Sequence, residues 1–384
     1  MFIIIFFFFN EINIIKMFHL FYLTRLKTVF ELIKHKLNEY MYYYLVLLLA
    51  STIIYNEWLV YSLYASKWPT LYCGNEKFCK TILLVADPQI LGEERENVLT
   101  RWDSDRYLFN TYGRALQHVK PDNVIFMGDL MDEGSLADQK TFERYLHRFS
   151  KIFFLKSIVP LASNNVIFIP GDNDIGGDEE IVIREKVDRF HLYFGSPGVI
   201  QNEKIEFIMV NQLIDSMPTN INPTNRTNTI KIMFSHIPLT TKWTKFADKV
   251  INEFKSEFVF SAHDHSSYNF ISDIKKRKHT YVQMLERNSF DEMSSAQWRF
   301  GQQSPNSVSE IIVPTCSYRM GSNNVGYGVL TIDTFRHSVT YTILWLPSRF
   351  SCLYVYLYVL ILCIILYFLH LITRNSKTII YRVM

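Results

Sequence analysis

Polar side chains that can bind a metal stand directly after several short apolar segments of the chain. The segments and the residues that follow them read ILLVADPQ, VIFMGDLMDEG, NVIFIPGDND, IKIMFSHIP and FVFSAHDHS. Each apolar segment predicts a buried strand, because β-branched and bulky residues stop abruptly at a turn signal. The sites of α/β proteins lie at the carboxyl ends of such strands. Carboxylate, amide and imidazole groups gathered there suit a divalent cation.

Each of these motifs has an ordinary structural explanation when it is taken alone. Asp129, in the second segment, is a suitable cap for a following helix. Asp87 before Pro88 begins a turn readily, and the Asp and Asn residues at 172–174 favour turns as well. A single histidine at a strand end is more often structural than a metal ligand. The repetition of the pattern along the chain favours a metal site over these separate explanations.

The last segment carries a pair of histidines, His263 and His265, on either side of Asp264. In an extended chain, alternate side chains point to the same side. Both imidazoles are therefore expected to converge on a metal site.

A helical pattern connects the first two predicted strands, at residues 82–86 and 124–127. Apolar residues recur at helical spacing across residues 97–117. A strand, a helix and a strand form a right-handed unit with neighbouring parallel strands, so Asp87 and Asp129 are expected at the same sheet edge. This alternation predicts an α/β class. The other predicted elements are a helix at 137–154 and strands at 165–170, 205–210, 230–234 and 258–260.

Two long apolar stretches lie near the ends of the 384-residue chain. Residues 351–370 carry no charge apart from a protonated His370, and residues 41–65 are apolar except for a few polar positions and the pair Asn56 and Glu57. Both stretches are long enough to cross a bilayer. Glu57 is costly in hydrocarbon unless it lies near the interface or is paired inside a bundle.

Basic residues precede the first stretch and follow the last one, so the positive-inside rule puts both termini in the cytoplasm. The predicted organisation is an N-terminal extension at 1–40, a transmembrane helix at 41–65, a lumenal domain at 66–350, a transmembrane helix at 351–373 and a cytoplasmic tail at 374–384.

A lumenal location agrees with two further features. Asn225 begins a glycosylation sequon in a polar loop, which predicts a glycoprotein. Cys73 and Cys79 lie just outside the first membrane helix and can pair in an oxidising compartment. The formal net charge of +3 is too small to argue for a nucleic-acid partner, and the chain contains no nucleic-acid-binding motif.

The order of these motifs resembles the calcineurin-like metallophosphoesterase superfamily. That pattern runs Asp-x-His, Gly-Asp, Gly-Asn-His-Asp, His and Gly-His-x-His, and the resemblance covers roughly residues 80–335. It implies a four-layer α/β/β/α sandwich, here flanked by N- and C-terminal transmembrane helices. It also implies a hydrolase with two divalent metal ions.

The flanking details resemble one membrane-bound branch of the superfamily. The motifs ADPQILGE, GDLMDEG, GDNDIGG, FSHIPL and FSAHDHS are enclosed by the two membrane stretches, and EIIVPTCSYRMGSNNVGYGVLTID also looks like that branch. The resemblance implies a phosphodiesterase that removes ethanolamine phosphate from a mannose of the GPI-anchor glycan. Such an enzyme acts on GPI-anchored proteins during their maturation and transport, as a multi-pass protein of the endoplasmic reticulum or early Golgi membrane, where cargo receptors are possible partners.

The resemblance also assigns the ligands. One metal would be held by Asp87, Gln89, Asp129 and His265. The second metal would be held by Asp129, Asp172, His236 and His263, so that Asp129 bridges the two. Gln89 stands where the family has a histidine, which weakens a preference for zinc or iron and favours Mn²⁺. The residues implied in catalysis are Asp129, Asp172, His236 and Asn173.

The GDND motif departs from the family's Gly-Asn-His-Asp. Asp172 takes the position of the metal-binding Asn, and its extra negative charge is expected to tighten the second metal. Asn173 takes the position of the histidine that usually protonates the leaving group, which an amide cannot do. Asp174 is expected to orient the site. An alternative register makes Asn173 the ligand.

Two other functions remain open from the sequence. The first is a metallophosphoesterase for another lumenal phosphodiester, such as a lipid or a nucleotide. The second is a membrane-bound cargo adaptor that uses the phosphoesterase fold for binding, which the missing proton donor at Asn173 favours. Every metal position still carries a competent ligand, and this favours an enzyme.

Overall fold

The computed structural model describes residues 25, 40–73, 78–154, 165–177, 180–196, 198–201, 204–219, 229–241, 243–287, 297–300 and 306–383. The chain divides into two compact units. One comprises residues 59–350, and the other comprises residues 1–58 and 351–384. The predicted extension at residues 1–40 lies almost entirely outside the described residues, and so does the sequon at Asn225.

The larger unit contains two sheets. The first sheet has six strands in the order β10-β13-β12-β1-β2-β3. Strands β1, β2 and β3 are parallel neighbours, whereas β12, β13 and β10 are antiparallel to their partners. The strands are β1 (Cys79–Val85), β2 (Asn123–Phe126), β3 (Val166–Phe168), β10 (Gln297–Phe300), β12 (Gly326–Asp333) and β13 (Ser338–Trp345).

The second sheet has seven strands in the order β4-β5-β6-β7-β11-β8-β9. Strands β5, β6, β7 and β11 run parallel, and antiparallel strands flank them on both sides. The strands are β4 (Val199–Gln201), β5 (Ile205–Met209), β6 (Ile230–Phe234), β7 (Phe258–Ser261), β8 (Tyr268–Asp273), β9 (Lys278–Met284) and β11 (Ser307–Ile312).

Three helices of the described residues begin at a side-chain cap. Asn97, Asp138 and Thr244 each accept a hydrogen bond from the backbone N–H three residues later, which satisfies a donor of the first turn. The helices are α1 (Tyr40–Ala65), α2 (Val98–Val119), α3 (Gln139–Phe153), α4 (Asp172–Ile175), α5 (Arg184–Phe194), α6 (Lys245–Phe254) and α7 (Arg349–Val383).

Two helices pack against the outer face of the first sheet through aromatic residues. The ring of Phe126 on β2 lies 6.2 Å from Tyr112 of α2, and 5.3 Å from Phe149 and 5.2 Å from Phe153 of α3. All four side chains are almost fully buried. Close-packed aromatic pairs of this kind contribute about 0.5–1.5 kcal/mol each beyond the area they bury.

Helix α6 covers the outer face of the second sheet. Val250 and Ile251 of the helix belong to the same buried cluster as Met233 of β6 and Val259 of β7. Between the sheets, Phe260 of β7 packs against Tyr341 of β13 with ring centroids 5.7 Å apart. Helices, sheet, sheet and helix therefore form the four layers, and the predicted α/β/β/α fold is confirmed.

Asp87 and Asp129 follow neighbouring parallel strands at one sheet edge, as predicted, but not all the metal-binding motifs share that edge. Asp87, Asp129 and Asp172 follow strands of the first sheet, whereas His236 and His263 follow strands of the second. The carboxylates and the histidines are therefore brought together by the packing of two sheets. The strand pattern alone carries no information on which sheet a strand joins.

Helices α1 and α7 each contain a segment long and apolar enough to cross a membrane, at Tyr40–Ala65 and Arg349–Ile372. Most of their apolar side chains are exposed, unlike those of a helix in the core of a soluble domain. Helix α7 continues to Val383, beyond the predicted end of its membrane segment.

Polar residues of the smaller unit are paired. The side-chain amide of Asn56 donates to the backbone carbonyl of Cys352 at 3.0 Å, and the Tyr356 hydroxyl donates to Glu57 Oε1 at 2.6 Å. Of the two alternatives that the sequence left open for Glu57, the structure shows the pairing with another helix. Just beyond α1, Cys73 and Cys79 form a disulfide with Cα atoms 6.3 Å apart.

Candidate metal centre

The predicted ligands follow their strands on strained backbone. Five of them lie in the left-handed region, with φ of 45° at Asp87, 36° at Gln89, 51° at Asp129, 70° at His263 and 60° at His265. Residues other than glycine rarely adopt these angles, and they do so mostly at functional sites. The expectation of an extended backbone at His263 and His265 is therefore wrong.

Glycines before two of the ligands allow close backbone approach. A Cβ at Gly171 would lie 2.1 Å from Asp129 Oδ1. At Gly128, whose φ is +101°, a Cβ would lie 2.3 Å from His236 Nδ1. Any side chain at these positions would displace a predicted ligand.

One group of potential ligands contains Asp129, Asp172, His236 and His263, whose ligand atoms all lie within 4.8 Å of one another. Asp172 Oδ1 lies 2.9 Å from His236 Nε2 and 3.0 Å from His263 Nδ1. His236 Nδ1 lies 2.8 Å from the backbone oxygen of Met127. That hydrogen bond puts the proton on Nδ1 and leaves Nε2 as the metal-binding atom. We call these four residues the buried group.

A second group contains Asp87, Asp129 and His265, again within 4.8 Å. The Gln89 amide lies beside them, with Nε2 2.8 Å from Asp129 Oδ2 and 3.4 Å from His265 Nε2. We call Asp87, Gln89, Asp129 and His265 the Gln89 group. The structure thus brings together all seven predicted ligands, and Asp129 belongs to both groups.

The environment of Asp87 fits a bound cation. Its side chain is fully buried, and within the described part of the chain Oδ2 has no hydrogen-bond partner. Burial raises the pKa of Asp87 to about 8, although the nearby His236 acts to lower it. A buried, unsatisfied carboxylate oxygen is costly, and a divalent cation removes this cost by favouring the charged form.

The buried group shows strong electrostatic coupling. Burial acts to lower the pKa of His236, but the carboxylates of Asp129, Asp172 and Asp87 outweigh it and raise that pKa to about 10. Burial acts to raise the pKa of Asp172, but hydrogen bonds with His236 and His263 bring it well below its usual range. The carboxylates therefore attract positive charge strongly, as a metal site requires.

Within the GDND motif, Asp172 is placed as a metal ligand, and the residues after it hold other parts of the site in position. Asp172 contacts the histidines, whereas Asn173 donates to Asp129, from its backbone N–H at 3.0 Å and from Nδ2 at 2.8 Å. This geometry favours the register with Asp172 as the ligand. Asp174 accepts bonds from the backbone N–H groups of Gly171, Leu130 and Met131, and so orients the site as expected.

A cavity of about 240 Å³ opens over both groups. Besides predicted ligands and Asn173, it is lined by Arg95, Asp132, Ser135, Leu136 and Glu180. None of these five residues was predicted to belong to the site from the sequence. The acidic run after Asp129 was the available signal for Asp132. Arg95 lies in a loop without strand or helix periodicity, so no pattern could have identified it.

Ligands that follow parallel strands of both sheets come together in two groups that share the Asp129 carboxylate. This arrangement defines a candidate dinuclear metal centre. The sequence matches the calcineurin-like phosphoesterase family over residues 80–285, more than half of the chain. The chain belongs to this family of metal-dependent phosphoester hydrolases, and the prediction of its enzyme class is confirmed at that level.

Named relatives agree with the predicted branch. The Metallophosphoesterase 1 homolog of Caenorhabditis elegans is 26% identical over 225 residues, which are 53% of this chain and 58% of that protein. Metallophosphoesterase 1 of Rattus norvegicus is 26% identical over 175 residues, which are 44% of this chain and 43% of the rat protein. The chain spans about half the length of these curated relatives.

A solved structure is similar as well. The metallophosphoesterase from Sphaerobacter thermophilus aligns with 70% of this chain and 89% of its own, at 10% identity and a TM-score of 0.35. That score is too low to carry an argument about the site.

Proposed function

We propose that the chain is a dinuclear-metal phosphodiesterase that removes ethanolamine phosphate from a mannose of the GPI-anchor glycan. The observation that carries the proposal is the position of Asp129 in two adjoining ligand groups. Two cations that share a carboxylate are the arrangement that phosphoester hydrolysis uses. The resemblance of the motifs to the branch described above supports the choice of substrate.

When bound, the two divalent cations supply an activated water and neutralise the charge of the phosphate. Asn173 holds the Asp129 carboxylate through both of its oxygens. Asp174 accepts hydrogen bonds from the backbone N–H groups of Leu130 and Gly171, and so fixes the backbone after Asp129 and before Asp172. Hydrolysis would join a water oxygen to phosphorus and break the opposite bond, from phosphorus to the sugar oxygen. The products are ethanolamine phosphate and a sugar hydroxyl. The sugar oxygen would take its proton from water, because the Asn173 amide is not acidic enough to release one.

Manganese suits the Gln89 group best. Once the Gln89 amide turns its oxygen toward the site in place of the Nε2 that now donates to Asp129, that oxygen and the carboxylates of Asp87 and Asp129 would leave His265 as the only nitrogen donor. Hard oxygen donors favour Mn²⁺ over zinc.

The membrane segments support a lipid-linked substrate. Two helices with mostly exposed apolar side chains would hold the larger unit at a bilayer surface. The disulfide of Cys73 and Cys79 agrees with an oxidising compartment, and so with a lumenal position in the endoplasmic reticulum or early Golgi. The substrate is then a GPI-anchored protein in the same membrane.

The test uses the full chain in detergent micelles with Mn²⁺. Release of ethanolamine phosphate from a GPI glycan and cleavage of a generic aryl phosphodiester are followed in parallel, each with an Asp129→Asn variant. We expect glycan cleavage that the substitution abolishes. Cleavage of the aryl diester alone would keep the metal centre and reject the substrate. Metal binding without cleavage of either compound would favour a cargo adaptor.

A further inference from the structure

The acidic residues of the GDLMDEG motif have different surroundings. Asp129 belongs to both ligand groups. Both carboxylate oxygens of Glu133 accept hydrogen bonds within the protein. The donors are the backbone N–H groups of Arg95 at 2.8 Å and Glu94 at 3.1 Å and the Tyr145 hydroxyl at 2.9 Å. Its function is to fix the loop that follows β1. Asp132 has neither role.

The backbone around Asp132 is held firmly. Met131 donates its N–H to Asp174 Oδ1 at 3.1 Å, and Asp132 donates its own to the carbonyl of Ile90 at 3.2 Å. Ser135 N–H donates to the carbonyl of Asn173 at 2.6 Å. The position of Asp132 relative to the ligand groups is therefore fixed before any substrate enters.

The Asp132 side chain is half-buried and lines the metal cavity. Across the described ranges, its carboxylate makes no hydrogen bond or ion pair with another residue. Burial raises its pKa, and the Glu133 charge adds to this, against the opposite effect of Arg95. A partly desolvated carboxylate without a partner is unfavourable unless a cation joins it.

The other outer carboxylate of the cavity is already paired. Glu180 Oε2 lies 2.6 Å from Lys186 Nζ, so its charge is neutralised within the protein. Asp132 is therefore the carboxylate of this cavity that is best suited to a positively charged part of a substrate.

We propose that Asp132 binds the ammonium group of the substrate and makes the site specific for phosphodiesters that carry a short aminoalkyl chain. This inference rests on the proposed function, because it requires the phosphate to lie over the two ligand groups. An aminoethyl ester that stays on the phosphate carries its ammonium two carbons beyond an ester oxygen. A charged hydrogen bond to a carboxylate on the cavity wall then selects it.

The test compares two diesters that differ in one group. In 2-aminoethyl p-nitrophenyl phosphate the ammonium is present, and in propyl p-nitrophenyl phosphate a methyl group replaces it. We expect the full chain with Mn²⁺ to show a higher kcat/KM for the aminoethyl ester. Asp132→Asn, which keeps the shape and removes the charge, should lower the ratio of the two kcat/KM values roughly tenfold to hundredfold.

Glu180→Gln is the matched control, because it removes a carboxylate charge from the same cavity wall. We expect it to leave the ratio within about twofold of the unsubstituted chain, since Glu180 is paired with Lys186. A ratio that changes in Glu180→Gln and not in Asp132→Asn would overturn the assignment. An equal fall for both esters in Asp132→Asn would also overturn it, because Asp132 would then act on the metals or the fold.

A binding measurement separates this inference from the proposed activity. Calorimetry compares the affinities of ethanolamine phosphate and propyl phosphate for the Mn²⁺-loaded chain and for Asp132→Asn. Preference for ethanolamine phosphate that is lost in the variant supports the inference even if neither diester is cleaved. Equal affinities in the unsubstituted chain reject it, whatever the activity.

Discussion

The buried group and the Gln89 group share Asp129 but differ in how their ligands are prepared. In the buried group, Asp172 lies within 3.0 Å of both histidines, and His236 is 2% exposed. In the Gln89 group, Asp87 Oδ2 is unsatisfied among the described residues, and a neutral amide replaces an imidazole. One half of the centre is therefore pre-organised by its own contacts, and the other half depends on a cation to complete it.

The protonation of the histidines shows the same difference. His236 has its pKa raised by surrounding carboxylates, despite its burial. Burial lowers the pKa of His265, and the Asp129 charge only partly offsets this effect. The buried group is thus the more negative environment. We expect it to bind its cation more tightly, so that occupancy of the Gln89 group controls the activity.

The largest effect is expected from removing what the two groups share. Asp129→Asn should lower phosphodiesterase activity roughly a thousandfold or more, because both cations lose a charged ligand. Steady-state hydrolysis with saturating Mn²⁺ measures this. Asp122→Asn is the control, since Asp122 forms an exposed ion pair with Lys80 at 3.0 Å. If Asp129→Asn kept a tenth of the normal activity, Asp129 would not be a ligand shared by both metal ions.

A smaller effect should separate the groups. Asp172→Asn restores the ligand type of the resembled family pattern and removes one negative charge from the buried group. The tighter of two Mn²⁺ affinities, measured by calorimetry, should weaken roughly tenfold to hundredfold, while the weaker affinity stays almost unchanged. If only the weaker affinity changes, the order of the two sites is the reverse of that inferred here.

The complementary substitution in the Gln89 group should change the choice of metal. Gln89→His replaces an oxygen donor by an imidazole, which favours zinc relative to manganese. The ratio of zinc-supported to manganese-supported activity should rise about tenfold, a change of the size seen for tuned metal sites. An unchanged ratio would show that Gln89 acts only by its hydrogen bond to Asp129.

The smallest expected effect concerns the leaving group. Asn173→His supplies a proton donor but removes the bond from Nδ2 to Asp129. We expect kcat to rise a fewfold for an alkyl leaving group and to stay level or fall for p-nitrophenolate, which needs no proton. If kcat changes by the same factor for both substrates, the residue at position 173 acts only through its contact with Asp129.

Much of the fold followed from local patterns. The strand predicted at residues 230–234 is β6 (Ile230–Phe234), and the helix predicted at 97–117 is α2 (Val98–Val119). Apolar periodicity is a local property, and it identifies such elements well. The candidate ligand residues of both groups were located for the same reason, because each follows a strand that the pattern marks, whereas their division between two metals came from the family resemblance.

The rest depends on contacts between distant parts of the chain. Asp172 and His236 are 64 residues apart, and their 2.9 Å contact arises from the packing of two sheets. The left-handed angles at His263 and His265 reflect that packing rather than their own preferences. Asp132 and Glu133 are chemically similar neighbours, and only the structure shows that the Glu133 carboxylate is bonded within the protein, whereas among the described residues the Asp132 carboxylate has no partner.

The close backbone approaches at Gly128 and Gly171 have an evolutionary consequence. At Gln89, Asp172 and Asn173 the side chains of the centre differ from the resembled family pattern, whereas Gly128 and Gly171 match the glycines of its Gly-Asp and Gly-Asn-His-Asp motifs. At the glycines, even one added carbon would collide with Asp129 or His236. Substitutions of the ligand side chains can therefore alter which metal is bound and how tightly. A substitution of either glycine instead displaces a ligand, so that no metal can bind there.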